Sequence, residues 1–92
     1  MTLTELKYIV AVAREKHFGR AAKACGVAQP TLSIAVKNLE EELGVQLFDR
    51  SHSVLRVTSS GISIVRHAFA VLQEVQAIEE IARKSRKPKT GL

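Results

Sequence analysis

The chain has 92 residues, of which 46% are hydrophobic and 25% charged, and this composition is typical of one small globular domain. None of its few aromatic residues is Trp, so the core must be mainly aliphatic and too small to enclose a deep substrate cleft. A single cysteine excludes an internal disulfide framework, and no apolar run approaches the roughly 18 residues that cross a membrane. We therefore expect a cytoplasmic protein and exclude a large enzyme, a membrane protein and a disulfide-stabilised scaffold.

The net charge of +5 is unevenly distributed along the chain. Five of the 14 basic residues lie in the last ten positions, so the first 82 residues carry nine bases and nine acids. A basic tail alone accounts for the pI of about 9.8, which by itself does not indicate a nucleic-acid surface. Residues 14–37, by contrast, contain five basic residues and one acid, Glu15. This local asymmetry is the more informative feature.

Apolar residues spaced three or four positions apart predict a first helix near the amino terminus. Thr2 or Thr4 can cap its start. Its apolar stripe consists of Leu3, Leu6, Ile9, Val10 and Ala13. The pattern breaks at Phe18–Gly19, after which a short second helix runs to Cys25 and stops at Gly26, a residue suited to a left-handed turn.

A third helix is predicted to open near Gln29–Pro30, since proline is tolerated in a first turn, and to end at Gly44. Its inward stripe consists of Leu32, Val36, Leu39 and Leu43. Two short helices joined through a glycine turn form a helix-turn-helix pattern over 18–37. The polar face of the later helix carries Gln29, Thr31, Ser33, Ile34, Lys37 and Asn38.

That polar face predicts recognition of double-stranded DNA. Gln and Asn side chains can bond adenine edges, Lys can reach guanine or phosphate, and the helix amino terminus offers free N–H groups to a phosphate. The exposed aliphatic residue Ile34 can contact a thymine methyl group. An ordinary solvated helix face is the alternative interpretation.

The period of the pattern changes after Gly44. Inward-facing Val45, Leu47 and Phe48 and the alternating segment Leu55–Val57 predict two short strands that flank a turn at Ser51–Val54. These elements would form a small wing beside the three helices.

Thr58 is a suitable cap for a last helix over 59–85. Apolar residues recur along it at alternating spacings of four and three, and Val65, Phe69 and Leu72 widen the stripe. The stripe consists of Ile64, Ala68, Val71, Val75, Ile78 and Ala82. We expect the first three helices to pack against one another. The partner of this stripe is therefore predicted to be a second copy of the chain.

Several segments together resemble the signature of LysR-type transcriptional regulators. They are Ala28–Ser33 (AQPTLS), Leu39–Glu40, Glu42–Gly44, Leu47–Arg50 (LFDR) and Val57–Gly61 (VTSSG). The match runs from Leu3 to about Ala82, nearly the whole chain. Within the family, His17–Cys25 followed by Gln-Pro-Thr-Leu-Ser is similar to the OxyR branch of peroxide sensors.

The resemblance implies a mainly α fold in three parts. A winged helix-turn-helix DNA-binding domain, with a three-helix core and a two-stranded wing at about 47–57, occupies residues 1–58. A linker helix that dimerises the chain follows at 59–85, and residues 86–92 form a hinge towards an effector-binding domain that this sequence lacks. The implied partners are a pseudo-palindromic DNA operator and a second copy of the chain, with a tetramer in the full-length protein.

Carried over residue by residue, the family's DNA contacts fall on the third helix and on the wing. They are Gln29, Pro30, Thr31, Ser33, Ile34, Lys37 and Arg50. Ala28 stands where the family usually has a capping serine, a loss of about 1 kcal/mol. Ser53 stands where a second wing arginine is common, and His52 and Arg56 are candidates to replace its reach into the minor groove.

The dimer interface that the resemblance and the apolar stripe together predict lies on the last helix. It consists of Ile64, Val65, Ala68, Val71, Leu72, Val75, Ile78 and Ala82. Antiparallel pairing of two such helices would hold two helix-turn-helix units at a fixed separation.

No catalytic, metal or cofactor site is predicted. His17, His52 and His67 are spaced too widely for a local metal motif, and Glu40–Glu42 has the pattern of a solvated helix end. Cys25 lies beside inward-facing alanines, which favours buried packing over a redox role. Three alternatives stay open: a LysR-type regulator that responds to a small metabolite, a dimerisation or adaptor module that leaves the polar face idle, and a winged-helix RNA binder.

Overall fold

The computed structural model of the chain describes residues 1–86. Its elements, in chain order, are α1 (Leu3–Glu15), α2 (Phe18–Cys25), α3 (Gln29–Leu43), β1 (Phe48–Asp49), β2 (Arg56–Val57) and α4 (Ser59–Ser85). The predicted mainly α, winged helix-turn-helix fold with a long last helix is confirmed. Apart from Arg86, the predicted hinge over 86–92 lies outside the described residues.

The ends of the helices are set by local capping. Thr2 and Glu5 form a capping box in which the Thr2 hydroxyl accepts the Glu5 N–H at 3.1 Å and the Glu5 carboxylate accepts the Thr2 N–H at 2.8 Å. The predicted glycine stops are also present, because Gly26 (φ +69°) and Gly44 (φ +70°) lie in the left-handed region. His17 caps α2, because its Nδ1 atom accepts the Arg20 N–H at 2.9 Å.

The core lies where α1, α2 and α3 meet, and its fully buried side chains are Ile9, Val12, Leu32, Leu39 and Leu47. The predicted stripe of α1 was too narrow, because α1 packs against α2 and α3 on one side and against α4 on the other. Tyr8 and Ala11 are therefore buried as well, whereas Leu3 is 44% exposed. Cys25 is half-buried rather than buried.

The first half of α4 packs against α1. Ala68 is buried there, and Gly61 is buried beside Leu47 and Val57, while Ile64, Val65 and Leu72 are half-buried against the core. We expected the first three helices to pack only against one another. That expectation is wrong, because α1 also packs against α4. Ala68 is 3% exposed within a single chain, so we remove it from the predicted interface between copies.

From Val71 onward, α4 is apolar on a side that the chain itself leaves uncovered. Val71 is 42% exposed and Ile78 is 66% exposed, Ala82 is exposed, and Val75 is half-buried. Ile81, which the predicted stripe did not include, is also 66% exposed. This part of the predicted stripe remains available to a partner.

The wing is a two-stranded antiparallel sheet in which Phe48 pairs with Val57 and Asp49 with Arg56. Its strands have two residues each, shorter than the predicted segments, and Phe48 is buried against the core. The turn between them spans the predicted Ser51–Val54. Over residues 1–86, none of the helices has the length and apolar character needed to span a membrane.

Candidate nucleic-acid interface

The outer face of α3 presents exposed polar side chains, because its inner face is committed to the core. Leu32, Val36 and Leu39 are buried on the inner side. On the outer side the exposed residues are Gln29, Pro30, Thr31, Ile34 and Lys37, and Ser33 is half-buried beside them. The structure therefore places all six predicted α3 contacts on or beside one accessible surface.

The amino terminus of α3 has no side-chain cap. Ala28 occupies the capping position with extended backbone and makes no side-chain hydrogen bond to the helix. Pro30 in the first turn has no N–H, so the N–H groups of Ala28, Gln29 and Thr31 are the donors that this end of the helix can offer. An uncapped helix start of this kind can bind a phosphate oxygen through its backbone.

Gln29 lies over Gly19 in the first turn of α2. A Cβ atom built on Gly19 would be 3.3 Å from the Gln29 amide oxygen and 2.8 Å from Cε1 of His17. Gly19 thus leaves room for the Gln29 amide and for the imidazole that caps α2. The apolar pattern marks Gly19 only as a break between helices, although a glycine within a short helix can indicate a close approach of this kind.

The wing is tied to α3 through Glu40. Its carboxylate accepts the N–H groups of Leu47 at 2.7 Å and Phe48 at 3.2 Å. The Thr58 hydroxyl donates to the carbonyl of Gln46 at 2.6 Å, which joins the end of the wing to its start. The prediction of a solvated Glu40–Glu42 helix end was therefore wrong for Glu40, since its charge is used to fix the start of the wing.

The turn of the wing is ordered by Asp49. Its carboxylate accepts the N–H of Ser51 at 2.9 Å and the hydroxyl of Ser51 at 2.6 Å. These two hydrogen bonds, with a smaller contribution from the nearby charges of His52 and Arg56, hold the pKa of Asp49 below its ordinary value. The predicted wing contacts His52, Ser53 and Arg56 are all exposed.

Arg50 lies at the junction between the wing and the helix-turn-helix. Its guanidinium carbon is 3.4 Å from the centroid of the Phe18 ring. A shallow cavity of about 410 Å³ brings Arg50 together with three predicted α3 contacts, Ser33, Ile34 and Lys37. Gln29 lies at the opposite end of α3 and does not line this cavity. The surface therefore has two parts: the start of α3, and the junction of α3 with the wing.

Sequence comparison identifies relatives over nearly the whole chain. The profile described as "Bacterial regulatory helix-turn-helix protein, lysR family" matches residues 3–62. The hydrogen peroxide-inducible genes activator of Haemophilus influenzae is 43% identical over 91 residues, which are 99% of this chain and 30% of that protein. The DNA-binding transcriptional dual regulator OxyR of Escherichia coli K12 is 41% identical over the same shares. The chain thus spans about 30% of the length of these curated relatives.

A third relative is named neither for hydrogen peroxide nor as OxyR. The HTH-type transcriptional regulator BudR of Klebsiella aerogenes is 47% identical over 83 residues, 90% of this chain and 58% of that protein.

Solved structures of regulatory proteins also superpose on nearly the whole chain. A full-length OxyR variant from Pseudomonas aeruginosa superposes with a TM-score of 0.90 at 55% identity, covering 95% of this chain and 30% of that one. The BenM DNA-binding domain in complex with catB site 1 DNA superposes with a TM-score of 0.89 at 36% identity, covering 96% of this chain and all of that one. Since the profile match covers more than half of the sequence, the chain belongs to the LysR family of bacterial regulatory helix-turn-helix proteins.

Proposed function

We propose that the chain is the DNA-binding part of a LysR-type transcriptional regulator and binds double-stranded DNA through α3 and the wing. The observation that carries this proposal is the exposed outer face of α3 with Arg50 beside it, in a fold whose counterpart in BenM was solved on DNA. The major groove of B-DNA, about 12 Å wide, accommodates an α-helix presented in this way.

The proposed contacts divide into base readers and phosphate anchors. Gln29 can form a bidentate pair with adenine, and Ile34, which is 60% exposed, can pack against a thymine methyl group. The uncapped start of α3 and the Arg50 guanidinium are suited to phosphates, and Lys37 to a guanine or a phosphate. For His52, Ser53 and Arg56, which are exposed on the wing, we propose contacts in the minor groove.

The proposed assembly is a homodimer through the exposed part of α4. Of the predicted interface, Val71, Ile78 and Ala82 are exposed, and the half-buried residues are Ile64, Val65, Leu72 and Val75. A two-fold pair of helix-turn-helix units requires a pseudo-palindromic site with half-sites about one helical turn, ~34 Å, apart. For the full-length regulator we propose a tetramer, located in the cytoplasm with the DNA that it binds.

For the signal that the regulator answers, we propose oxidative stress, as in the OxyR branch. Two relatives named for hydrogen peroxide or as OxyR support this role. A regulator that responds to a small metabolite is the alternative, since BudR, at 47% identity, has a name that mentions neither peroxide nor OxyR. Both candidates bind rather than catalyse, in keeping with relatives that are named as transcriptional regulators.

Fluorescence anisotropy across a range of salt concentrations tests this proposal. It measures the affinity of the chain for duplex DNA, for random-sequence duplex DNA and for single-stranded RNA. We expect salt-dependent binding to duplex DNA that exceeds binding to RNA, because the proposed contacts are made in the grooves of B-form DNA. Preferential binding to RNA would favour the RNA-binding alternative. Failure to bind either nucleic acid would favour a dimerisation or adaptor module.

A further inference from the structure

The Arg50 side chain rests on an aromatic platform that belongs to a different element of the fold. The guanidinium carbon is 3.4 Å from the centroid of Phe18, well within the distance of about 6 Å at which a cation is attracted to a ring face. Phe18 itself is 8% exposed, and its ring meets that of Phe48 edge to face, with centroids 6.0 Å apart. The platform is therefore held by the core.

This ring contact leaves the guanidinium donors free. Within residues 1–86 Arg50 forms no ion pair and donates no hydrogen bond, and the neighbouring carboxylate of Asp49 is bonded to Ser51. A guanidinium that stacks on a ring uses its flat face, whereas its N–H groups lie in its plane. Stacking on Phe18 is thus compatible with simultaneous bonding to a phosphate.

The contact also joins the two parts of the molecule that must approach DNA together. Phe18 begins α2, Arg50 follows β1, and both line the cavity that contains Lys37 of α3. A long, exposed side chain loses rotamer freedom when it binds, and a side chain that is already held in place loses less.

We propose that Phe18 is a positioning residue for DNA binding: its ring holds the Arg50 guanidinium at the junction of α3 and the wing, with the N–H donors free for a phosphate. The proposal rests on the proposed DNA-binding function and adds a residue that none of the predicted contacts included. Phe18 acts through Arg50 and does not itself touch the DNA.

The test is a double-mutant cycle between positions 18 and 50. Phe18→Leu removes the ring but keeps an apolar side chain, Phe18→Tyr keeps the ring, and Arg50→Met removes the charge. We expect Phe18→Leu to weaken binding to duplex DNA by about 2–5-fold, the ratio that corresponds to an exposed cation–ring contact. Phe18→Tyr should retain the affinity of the parent chain, and Phe18→Leu should have no further effect in the presence of Arg50→Met.

An NMR measurement on the free chain checks the contact separately. The Arg50 side-chain protons should show an upfield ring-current shift in the parent and in Phe18→Tyr, and lose it in Phe18→Leu. Thermal melts establish that each variant is folded at the assay temperature. If the shift is present but the parent chain does not bind duplex DNA, the proposed function fails together with the positioning role, although the contact itself stands.

Two results would overturn the positioning role while leaving DNA binding intact. One is parent-like affinity of folded Phe18→Leu. The other is an equal loss of affinity from Phe18→Leu whether position 50 carries Arg or Met, because an additive effect would show that the ring acts through the fold and not through Arg50.

Discussion

The two halves of α4 carry one repeat of apolar residues but meet different surroundings. Of the residues in this repeat, Ala68 in the first half is 3% exposed and Ile64 is half-buried, whereas Ile78 in the second half is 66% exposed and Ala82 is exposed. The spacing of apolar residues predicted a single seam between two copies over the whole helix. The difference teaches that periodicity identifies an apolar face but not the partner that covers it.

The reason for the difference is a mismatch in helix length. α1 has 13 residues and α4 has 27, so at 1.5 Å per residue they are about 20 Å and about 40 Å long. α1 can therefore cover only about half of α4. A helix half that remains apolar and uncovered in this way is typical of a protein–protein interface.

The largest expected effect comes from placing a charge on the uncovered half. We expect Ile78→Asp to shift the proposed dimer to a folded monomer, because burying an unpaired carboxylate in the interface costs several kcal/mol. Sedimentation velocity at several concentrations measures the change. Gln73→Asp adds the same charge at an exposed position of α4 and should leave the dimer intact.

Ile78 is a sharper test position than Val75, since Val75 is half-buried within its own chain. A dimer of parent stability with Ile78→Asp would show that the copies associate elsewhere. It would also remove the contrast between the two halves as an explanation of assembly.

The next largest effect is on stability and concerns the first half of α4, which the rest of the chain covers. A Cβ atom on Gly61 would collide with the backbone carbonyl oxygen of Leu47, so Gly61→Ala must push α4 away from the wing. We expect the free energy of unfolding to fall by about 1–3 kcal/mol in a urea titration. Ser60→Ala, one residue earlier and exposed, is the control and should be close to neutral. An unchanged urea midpoint for Gly61→Ala would show that the backbone of α4 does not approach the Leu47 carbonyl this closely.

A third prediction separates DNA reading from assembly. Gln29→Ala should weaken binding to a specific site by about 1–3 kcal/mol, spare binding to random-sequence duplex, and leave the oligomeric state unchanged. Anisotropy titrations on the two duplexes give the ratio, and Gln73→Ala on α4 is the matched control. Equal losses on both duplexes would assign Gln29 to the phosphate contacts.

The smallest effect is a pH dependence confined to the wing. Two hydrogen bonds from Ser51 favour the charged form of Asp49 and lower its pKa in the folded chain. The stabilisation is therefore complete above the pKa of the unfolded chain and is lost as the pH falls through the lowered folded value. The Ser51 amide resonance should move in that acidic range, while amides of the second half of α4 should not.

Asp49→Asn is the control for that titration, because its amide oxygen can accept the same bonds without titrating in acid. The Ser51 resonance should then be independent of pH. A resonance that moves equally in both chains would assign the titration to another group.

Local signals in the sequence predicted where the helices begin and end. Thr2 and Thr58 cap α1 and α4, and Gly26 and Gly44 end α2 and α3, as expected from their residue types. Capping depends on residues within one turn of the helix end, so the sequence contains what is needed. The polar face of α3 was predictable for the same reason, since one helix defines its own faces.

Contacts between distant segments were not predictable. Periodicity cannot show that the ring of Phe18 meets Arg50, or that Glu40 bonds the backbone of the wing seven residues on. Gly61, like Gly19, offered a signal: glycine costs about 1 kcal/mol relative to alanine inside a helix, so its presence in the first turn of α4 indicated a close backbone approach. The partner in that approach, the carbonyl of Leu47, required the structure.

Selection of binding sites from a pool of random duplex DNA tests the central claim most directly. We expect the chain to enrich one pseudo-palindromic sequence whose half-sites lie about one helical turn apart, and Ile78→Asp to abolish enrichment of the paired half-sites. Enrichment of an asymmetric site by the parent chain, or no enrichment at all, would contradict recognition by two copies of α3 held together by the uncovered half of α4.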